Sequence, residues 1–311
     1  MPNYLVTGAA GFIGAALAKK LILDGAHVTS IDNLSTGSEA NVPVGTKLII
    51  GDCGSADTIQ KLNGQKFDAI FHIAGQSSGE ISFDNPIYDI QTNAQSTLHL
   101  LKYACATSCN RFIFASTMSV YGNKIHKPAQ EIDIPRPQSF YGVAKLASEH
   151  YIRLYESYGI KGTSLRLFNV YGPGQNLSNL RQGMVSIYLS QMLQNQRIIV
   201  KGPKDRFRDL VYIDDVVEAF TRCLNNKNSE NTILNFGTGK RTYVYEMIDL
   251  LRTFYGKPVD VNYEGETLGD VQGIIADVTK HENILGVWKK TNSACGLKKM
   301  LSYYENQRHI A

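Results

Sequence analysis

Two groups of residues, far apart in the chain, have types and spacings that can support chemistry. The first is Gly8-Ala9-Ala10-Gly11-Phe12-Ile13-Gly14, which directly follows an apolar segment near the N-terminus. Three glycines at this spacing allow a tight turn, a close approach of the backbone to a ligand, and close packing of a helix on a strand. The N-terminus of that helix would present free N–H groups and the positive end of its dipole to a phosphate. The pattern predicts a site for the pyrophosphate of a dinucleotide.

The second group is Tyr141-Gly142-Val143-Ala144-Lys145. Residues four apart on a helix share a face, so the phenol of Tyr141 and the ammonium of Lys145 are expected side by side. A tyrosine pKa is ordinarily about 10. The ammonium and an oxidised nicotinamide both favour the phenolate, and we expect them to lower the Tyr141 pKa. A phenolate can take the proton of an alcohol while hydride leaves its carbon. Alone, this spacing also suits an ordinary exposed helix face, but with the glycine motif it predicts redox chemistry on an alcohol carbon.

A third partner follows an apolar segment that ends near Ala115. The stretch Ser116-Thr117-Met118-Ser119 places several hydroxyl groups where that predicted strand ends. Thr117 is the residue best placed to bind the reacting oxygen. Without the other two motifs this stretch would be only a loop rich in hydroxyl groups.

Two aspartates follow the next two predicted strands. Asp32 lies where the adenosine ribose of a dinucleotide would present its hydroxyls, and its charge would repel a 2′-phosphate, which favours NAD over NADP. Asp52 either accepts a hydrogen bond from the adenine amino group or serves as a turn or helix-cap residue. Ala74-Gly75-Gln76 is expected to line the cofactor, and His72 is expected to be a packed strand-end residue rather than a catalyst.

Elements with alternating periodicity must position these residues. Apolar segments predict strands at 3–7, 27–31, 47–50, 68–73, 111–115 and 163–167, and helical spacing predicts helices at 12–23, 86–107, 140–158 and 184–195. Strands alternating with helices indicate an α/β fold with a doubly wound parallel sheet. Ligands of such sheets bind beyond the carboxyl ends of the strands, where the motifs lie.

The pattern loosens after residue 170. We expect residues 1–170 to form the dinucleotide-binding domain, with 205–240 returning to it and 232–238 adding a strand to its sheet. Residues 171–204 and 241–311 are expected to form a smaller substrate-binding lobe.

Composition limits the class of protein. The chain has 311 residues, 43% of them hydrophobic, and a formal charge of +4 without a basic run, so nucleic-acid binding is not expected. No apolar stretch approaches the length of a membrane span, and no secretory signal is recognisable. The five scattered cysteines predict buried or partly buried thiols in a reducing cytoplasm, with no metal site.

At this point the chain resembles the extended short-chain dehydrogenase/reductase superfamily, and within it the nucleotide-sugar epimerases and dehydratases typified by UDP-glucose 4-epimerase. The resemblance rests on the motifs above and on further ones, which are Asp32 to Gly37, Gly51-Asp52, Tyr121-Gly122, 165–173, 208–216 and 235–239. It implies a Rossmann fold, tightly bound NAD, a nucleotide-diphosphate-sugar substrate and a homodimer formed through the helices near 86–107 and 140–158.

The resemblance also assigns residues. It implies that Thr117, Tyr141 and Lys145 are catalytic, and that Ser119, Asn169, Arg208 and Asp270 bind substrate, the arginine through its fork of donors on a diphosphate. Together with the motifs it implies the cofactor-binding residues Gly8, Gly11, Phe12, Ile13, Gly14, Asp32, Asn33, Ser35, Thr36, Gly37, Asp52, Cys53, Ala74, Gly75, Gln76, Asn93, Tyr141 and Lys145.

Two departures from the family pattern bear on function. The 4,6-dehydratases carry an acidic pair directly after the Ser/Thr, whereas this chain has Met118 and Ser119, which argues against dehydration. The family often reads Arg-x-Gly-Asp in the C-terminal lobe, whereas this chain has Thr267 in place of the arginine. Arg181 and Lys204 are the candidates to replace that diphosphate contact.

Three functions follow as hypotheses. The first is an NAD-dependent 4-epimerase that oxidises the sugar C4 hydroxyl and reduces the ketone from the other face, in the supply of polysaccharide precursors. The second is a nucleotide-sugar 4-dehydrogenase or 4-ketoreductase with the same residues and no epimerisation. The third is a non-catalytic dinucleotide-binding protein, which the presence of Thr117, Tyr141 and Lys145 disfavours.

Overall fold

The structure is a computed structural model of the chain, and it describes residues 1–124, 126–265 and 271–308. Its strands are β1 (Asn3–Thr7), β2 (His27–Asp32), β3 (Thr46–Ile50), β4 (Ala69–His72), β5 (Arg111–Thr117), β6 (Lys161–Leu167), β7 (Asn169–Tyr171), β8 (Arg197–Val200), β9 (Phe207–Arg208), β10 (Leu210–Tyr212), β11 (Thr232–Phe236), β12 (Thr242–Tyr243), β13 (Asp260–Tyr263) and β14 (Gly273–Ile274).

Helices connect these strands. They are α1 (Phe12–Leu23), α2 (Ala56–Gln60), α3 (Gly79–Asp84), α4 (Pro86–Ile90), α5 (Ser96–Thr107), α6 (Phe140–Leu154), α7 (Met184–Asn195), α8 (Ile213–Asn225), α9 (Val244–Tyr255), α10 (Thr279–Leu285) and α11 (Ser293–Arg308). No helix among the described residues has the length and apolar character needed to cross a membrane.

Seven strands form one sheet in the order β3-β2-β1-β4-β5-β6-β11, and every neighbouring pair is parallel. The predicted doubly wound α/β fold is therefore confirmed. The chain leaves β1 toward β2 on one side, and the later strands β4 and β5 add on the other side. Parallel sheets bind ligands where the strand order reverses in this way, beyond the carboxyl ends of the strands.

The sheet is buried on both faces because apolar residues alternate between two cores. Val6 and Ile113 point into one core, and Leu5 and Phe112 point into the other. Successive residues of a strand face opposite sides of the sheet, so a strand covered on both sides reads as a continuous apolar run. This explains why β1 and β5 were recognisable from sequence.

Two long helices differ from the prediction. The predicted helix at 86–107 is α4 and α5 joined by a π-helical turn, Gln91–Gln95. At this turn, the Thr92 hydroxyl donates a hydrogen bond to the Tyr88 carbonyl, and the Ser96 hydroxyl donates one to the Thr92 carbonyl. Such side-chain bonds compete with the regular helical ladder. The predicted helix at 140–158 ends as α6 at Leu154 and continues only as a 3₁₀ turn.

Smaller sheets form outside the main one, pairing β7 with β10, β8 with β13, and β9 with both β12 and β14.

All five cysteines are free thiols. Cys53, Cys109 and Cys223 are buried and Cys105 is half-buried, but Cys295 is exposed. The expectation of buried or partly buried thiols is therefore wrong for Cys295, because the start of α11 lies at the surface.

Candidate active site

One cleft runs along the carboxyl ends of β1, β2, β4 and β5. It brings together residues from segments that are far apart in the chain, as the position of the strand ends requires. Every residue predicted to bind the cofactor lines it except Asn93, and the cleft also contains Thr117, Ser119 and Asn169. The residues that sequence reasoning missed include Tyr88, Thr92, Gln175, Gln182 and Met184, which come from helices and loops without a recognisable motif.

Gly14 and Gly37 lie so close to the backbone of the glycine turn that neither position has room for a side chain. A Cβ on Gly14 would lie 2.1 Å from the Gly8 carbonyl oxygen, and one on Gly37 would lie 2.6 Å from the Ala10 carbonyl. Gly8 itself has φ +80° and packs against Ala74. Among the described residues, no side chain caps the N-terminus of α1 at Gly11, so its first N–H groups are available at the cleft. This cradle fits a pyrophosphate, which needs close backbone approach and N–H donors.

The Asp32 carboxylate organises the loop after β2. One of its oxygens accepts from the Ala10 N–H at 2.9 Å and the other from the Leu34 N–H at 2.8 Å. Asp32 thereby ties the glycine turn to its own loop while it lines the cleft. A carboxylate held at this place fits the ribose hydroxyls of an adenosine and disfavours a 2′-phosphate.

Asp52 has a visible structural task at the end of β3. Its Oδ1 accepts from the Gly54 N–H at 2.7 Å, and its Oδ2 accepts from the Asn33 amide at 3.0 Å. The turn interpretation is thus realised, and the residue still lines the cleft. Nearby, the fully buried His72 ring lies between the Thr7 hydroxyl at 2.9 Å and the Ser96 hydroxyl at 3.2 Å.

Tyr141 and Lys145 lie on one face of α6, beside the end of β5. Ser139 caps this helix by accepting from the Gly142 N–H at 3.1 Å. The Lys145 ammonium donates to the Ala115 carbonyl at 3.0 Å and lies 5.9 Å from the centre of the Tyr141 ring. Thr117, the last residue of β5, accepts from the Ser119 N–H at 3.1 Å and donates to the Ser119 hydroxyl at 3.2 Å. A phenol, an ammonium and a hydroxyl therefore meet at one strand end.

Burial shifts the pKa values of both Tyr141 and Lys145. It raises the pKa of Tyr141 to about 12, opposed in part by a hydrogen bond with Thr117, and lowers the pKa of Lys145 to about 8. Within the polypeptide, the Tyr141 pKa therefore moves opposite to the predicted direction. Desolvation of the phenolate outweighs the hydrogen bond with Thr117, and the Asp89 carboxylate acts in the same direction as desolvation. The positive charge of an oxidised nicotinamide is the remaining influence that would favour the phenolate.

Asn93 lies directly behind Gly75 rather than in the cleft. A Cβ on Gly75 would lie 2.4 Å from Asn93 Oδ1 and 3.3 Å from Lys145 Nζ. Asn93 Oδ1 is buried and has no hydrogen-bond partner among the described residues. The π-helical turn carries Asn93, and such turns are frequent at functional sites because they reorient side chains.

Only some of the predicted substrate-binding residues line the cleft. Ser119 and Asn169 line the cleft, and Asn169 Oδ1 is buried without a hydrogen-bond partner among the described residues. Arg208 is almost fully buried, with Nη1 donating to the Phe207 carbonyl at 2.7 Å, and it is not among the cleft-lining residues in the part of the chain that the structure describes. Asp270 and Thr267 lie outside the described residues.

The two candidates to replace the missing arginine lie at the surface. Arg181 pairs with Asp84 at 2.6 Å and with Glu80 at 3.2 Å. The carbonyl of Arg181 also accepts from the Ser78 hydroxyl at 2.8 Å. These contacts hold the loop before α7 against α3, so the charge of Arg181 is already engaged. Lys204 is exposed.

Comparison with known proteins identifies the class that this fold and site define. Residues 4–237 match the model of the NAD dependent epimerase/dehydratase family, and the chain belongs to that family of enzymes. NAD is the family's cofactor, and the glycine cradle with Asp32 fits it.

Among its relatives, the chain is 34% identical to a putative UDP-glucose 4-epimerase of Methanocaldococcus jannaschii, across 97% of this chain and 98% of the relative. A crystal structure of UDP-glucose 4-epimerase from Thermotoga maritima with UDP-glucose aligns with a TM-score of 0.94 and 34% identity, covering 98% of this chain and 99% of that one. The UDP-glucose 4-epimerase of Thermus thermophilus in complex with NAD aligns with a TM-score of 0.90 and 30% identity, covering 97% and 99%.

Proposed function

We propose that this protein is an NAD-dependent 4-epimerase of a nucleoside-diphosphate hexose, with a uridine diphosphate sugar as the favoured substrate. The observation that carries the proposal is the meeting of Thr117, Tyr141 and Lys145 at the end of β5, beside the glycine cradle. The full-length similarity to UDP-glucose 4-epimerases supports the same reaction and the same nucleotide. Met118 and Ser119 stand where dehydration would need an acid and a base, which favours epimerisation over elimination.

Each residue of the proposed site has one task. Bound NAD supplies the acceptor and donor of hydride. Thr117 holds the C4 oxygen, and Tyr141 takes its proton on oxidation and returns it on reduction. Lys145 holds a positive charge beside the phenol and is positioned by the Ala115 carbonyl. The glycine cradle and Asp32 hold the cofactor, and Asn93 lies behind Gly75 to support the same region.

The substrate is proposed to bind between the sheet and the later segments. In this scheme residues 1–170 and 205–240 carry the cofactor, while 171–204 and 241–311 cover the nucleotide sugar. Ser119 and Asn169 face the sugar and the diphosphate from the cleft. Arg208 and Asp270 remain proposed contacts. Arg181 is a weaker candidate, because Asp84 and Glu80 already engage it.

A homodimer is also proposed, through the surface of α4 and α6. Ile87, Ile90, Val143 and Leu154 are large apolar residues that these two helices leave exposed. Pairing with the same face of a second copy would bury them, which is the usual reason for such a patch. A reducing cytoplasm and a task in polysaccharide precursor supply are consistent with the free thiols and the substrate class.

The second candidate function is a nucleotide-sugar 4-dehydrogenase or 4-ketoreductase. It would use Thr117, Tyr141 and Lys145 in the same way. The only difference is that the keto sugar cannot rotate in the cleft, so hydride cannot return to the other face of C4. This alternative rests on the contacts that hold the loop before α7 against α3, because a loop fixed beside the cleft would restrict rotation of the sugar.

A product assay distinguishes the candidates. Purified protein is incubated with UDP-, dTDP- and GDP-linked sugars, and products are separated by liquid chromatography with mass detection. The expected result is a new peak of unchanged mass with UDP-glucose or UDP-galactose. A product lighter by two hydrogens would establish the dehydrogenase instead. No product with any sugar, from protein that binds NAD, would favour the non-catalytic alternative.

A further inference from the structure

Asp89 in α4 is a buried carboxylate that the proposed reaction does not use. Its side chain is 0% exposed. Oδ1 accepts from the Gln76 amide at 2.8 Å and from the Asn93 amide at 3.2 Å, whereas Oδ2 is buried without a hydrogen-bond partner among the described residues. A buried carboxylate is costly unless a positive charge or several donors compensate it. Asp89 therefore requires a nearby positive charge to compensate it.

That charge is the ammonium of Lys145, which is itself 3% exposed. Asn93 lies between the two groups: its Nδ2 donates to Asp89, while its Oδ1 and the Lys145 ammonium both approach the Cβ position that Gly75 lacks. Burial raises the pKa of Asp89, and the Gln76 hydrogen bond and the Lys145 ammonium oppose that shift. Burial also lowers the pKa of Lys145 to about 8, and the Asp89 carboxylate opposes that shift. The carboxylate and the ammonium are therefore coupled across one amide side chain.

Few other charges face the ammonium. The imidazole of His72 faces it from β4, and burial together with Lys145 holds the pKa of His72 well below its ordinary value, so this ring is neutral. From β5 the Phe114 ring lies 4.7 Å away, and from α6 the Tyr141 ring lies 5.9 Å away. Among the described residues, Asp89 is thus the negative group that interacts with Lys145.

We propose that Asp89 is a positioning residue, the buried counter-ion that keeps Lys145 charged and in place beside Tyr141, with Asn93 linking the two. The proposal deepens the function proposed above and rests on the tasks given there to Lys145 and Tyr141. Asp89 is not among the cleft-lining residues in the described part of the chain, so it acts on the site through the side chains that it contacts or faces, which are Gln76, Asn93 and Lys145.

Loss of the Asp89 charge should shift the pH profile of activity in a defined direction. Removal of the Asp89 charge lowers the pKa of Lys145, because the charged ammonium loses its partner. It also lowers the pKa of Tyr141, because the phenolate loses a negative neighbour. Activity needs a phenolate and an ammonium, so both limbs of its pH profile move to lower pH. A residue with only a structural task would reduce activity at every pH without moving the limbs.

Asp89→Asn tests this, because it keeps the shape and the Oδ1 acceptor and removes only the charge. We expect both limbs of the kcat/KM profile to shift down by about one pH unit. Asp24→Asn, which removes an exposed carboxylate paired with Lys20, should leave both limbs in place. Unmoved limbs in a folded Asp89→Asn protein would overturn the proposal.

A reciprocal measurement does not depend on substrate, activity or the folding of Asp89→Asn. In ¹³C-labelled protein, the Asp89 carboxyl resonance is titrated in the wild type and in Lys145→Met. Coupling is reciprocal, so loss of the ammonium should raise the pKa of Asp89. An unchanged Asp89 titration would refute the coupling even if the epimerase reaction is found, and a raised one would support it even if no sugar is turned over.

Discussion

Arg166 and Glu149 form an ion pair beneath the active site, with Nη2 2.7 Å from Oε2 and side chains that are 2% and 1% exposed. Arg166 Nε also donates to Glu149 Oε1 at 2.9 Å, and Ser116 donates to the same oxygen. Glu149 belongs to α6, Arg166 to β6 and Ser116 to β5. The pair therefore joins the helix that carries Tyr141 to β6, and the Ser116 hydrogen bond joins the same helix to the strand that carries Thr117.

Removing one partner of this pair should destabilise the protein strongly. Arg166→Met leaves a buried carboxylate without its cation, and we expect a loss of about 3–5 kcal/mol in the free energy of unfolding. The double variant Arg166→Met/Glu149→Met should recover part of that loss, because no charge then stays unpaired. Chemical denaturation measures both, with Lys20→Met as the exposed-pair control, expected to cost less than about 1 kcal/mol. A loss that small in Arg166→Met would contradict the buried-pair argument.

Tyr141→Phe should abolish most turnover without preventing NAD binding. The variant keeps the ring and removes the group that carries the proton, so we expect kcat to fall by about 10²–10⁴-fold. Steady-state kinetics on the identified sugar gives the rate, and the cofactor content of the purified protein checks the site. Tyr158→Phe removes a phenol at an exposed position outside the cleft and should leave kcat unchanged. Wild-type turnover in Tyr141→Phe would remove Tyr141 from the reaction.

Gly14→Ala should weaken NAD binding. The added Cβ would lie 2.1 Å from the Gly8 carbonyl oxygen, so the turn that faces the pyrophosphate must move. We expect the Kd for NAD to rise at least tenfold, which corresponds to about 1.4 kcal/mol. Gly25→Asn is the control, since Gly25 has φ +89° in open space and asparagine tolerates that conformation. Equal affinity in wild type and Gly14→Ala, measured by calorimetry, would exclude the cradle as the pyrophosphate site.

His281 should make the protein less stable in acid. Burial lowers its pKa to about 4, and the nearby Lys290 ammonium acts in the same direction. Between about pH 6.5 and 4 the unfolded chain binds a proton at this residue and the folded chain does not, so stability falls as the pH falls. The effect should reach about 3 kcal/mol.

The comparison that isolates this effect uses His281→Leu. Its unfolding free energy should lose less than that of the wild type between pH 6.5 and pH 4.5, as measured by urea denaturation at each pH. His27→Leu, at an exposed position, should keep the wild-type slope. Parallel slopes for wild type and His281→Leu would show that another group governs the acid sensitivity.

Local patterns were sufficient where a short segment specifies its own structure. The turn at Gly8 requires positive φ, and α1 follows with apolar residues at helical spacing, so both could be predicted with the right bounds. The strands of the main sheet were recognisable for the same reason, to within about two residues at their ends. The shared face of Tyr141 and Lys145 required only the geometry of a helix.

Other features depend on residues that are distant in sequence. The sequence determined the fold class, the cofactor cradle and the Tyr141–Lys145 pair, because each follows from local periodicity and from residues with special backbone freedom. The tertiary structure alone decided the direction of the Tyr141 pKa, the pairing of Arg181 and the position of Asp89 behind Asn93. The physical reason is that desolvation and charge pairing depend on what surrounds a group in space, which no spacing along the chain reveals.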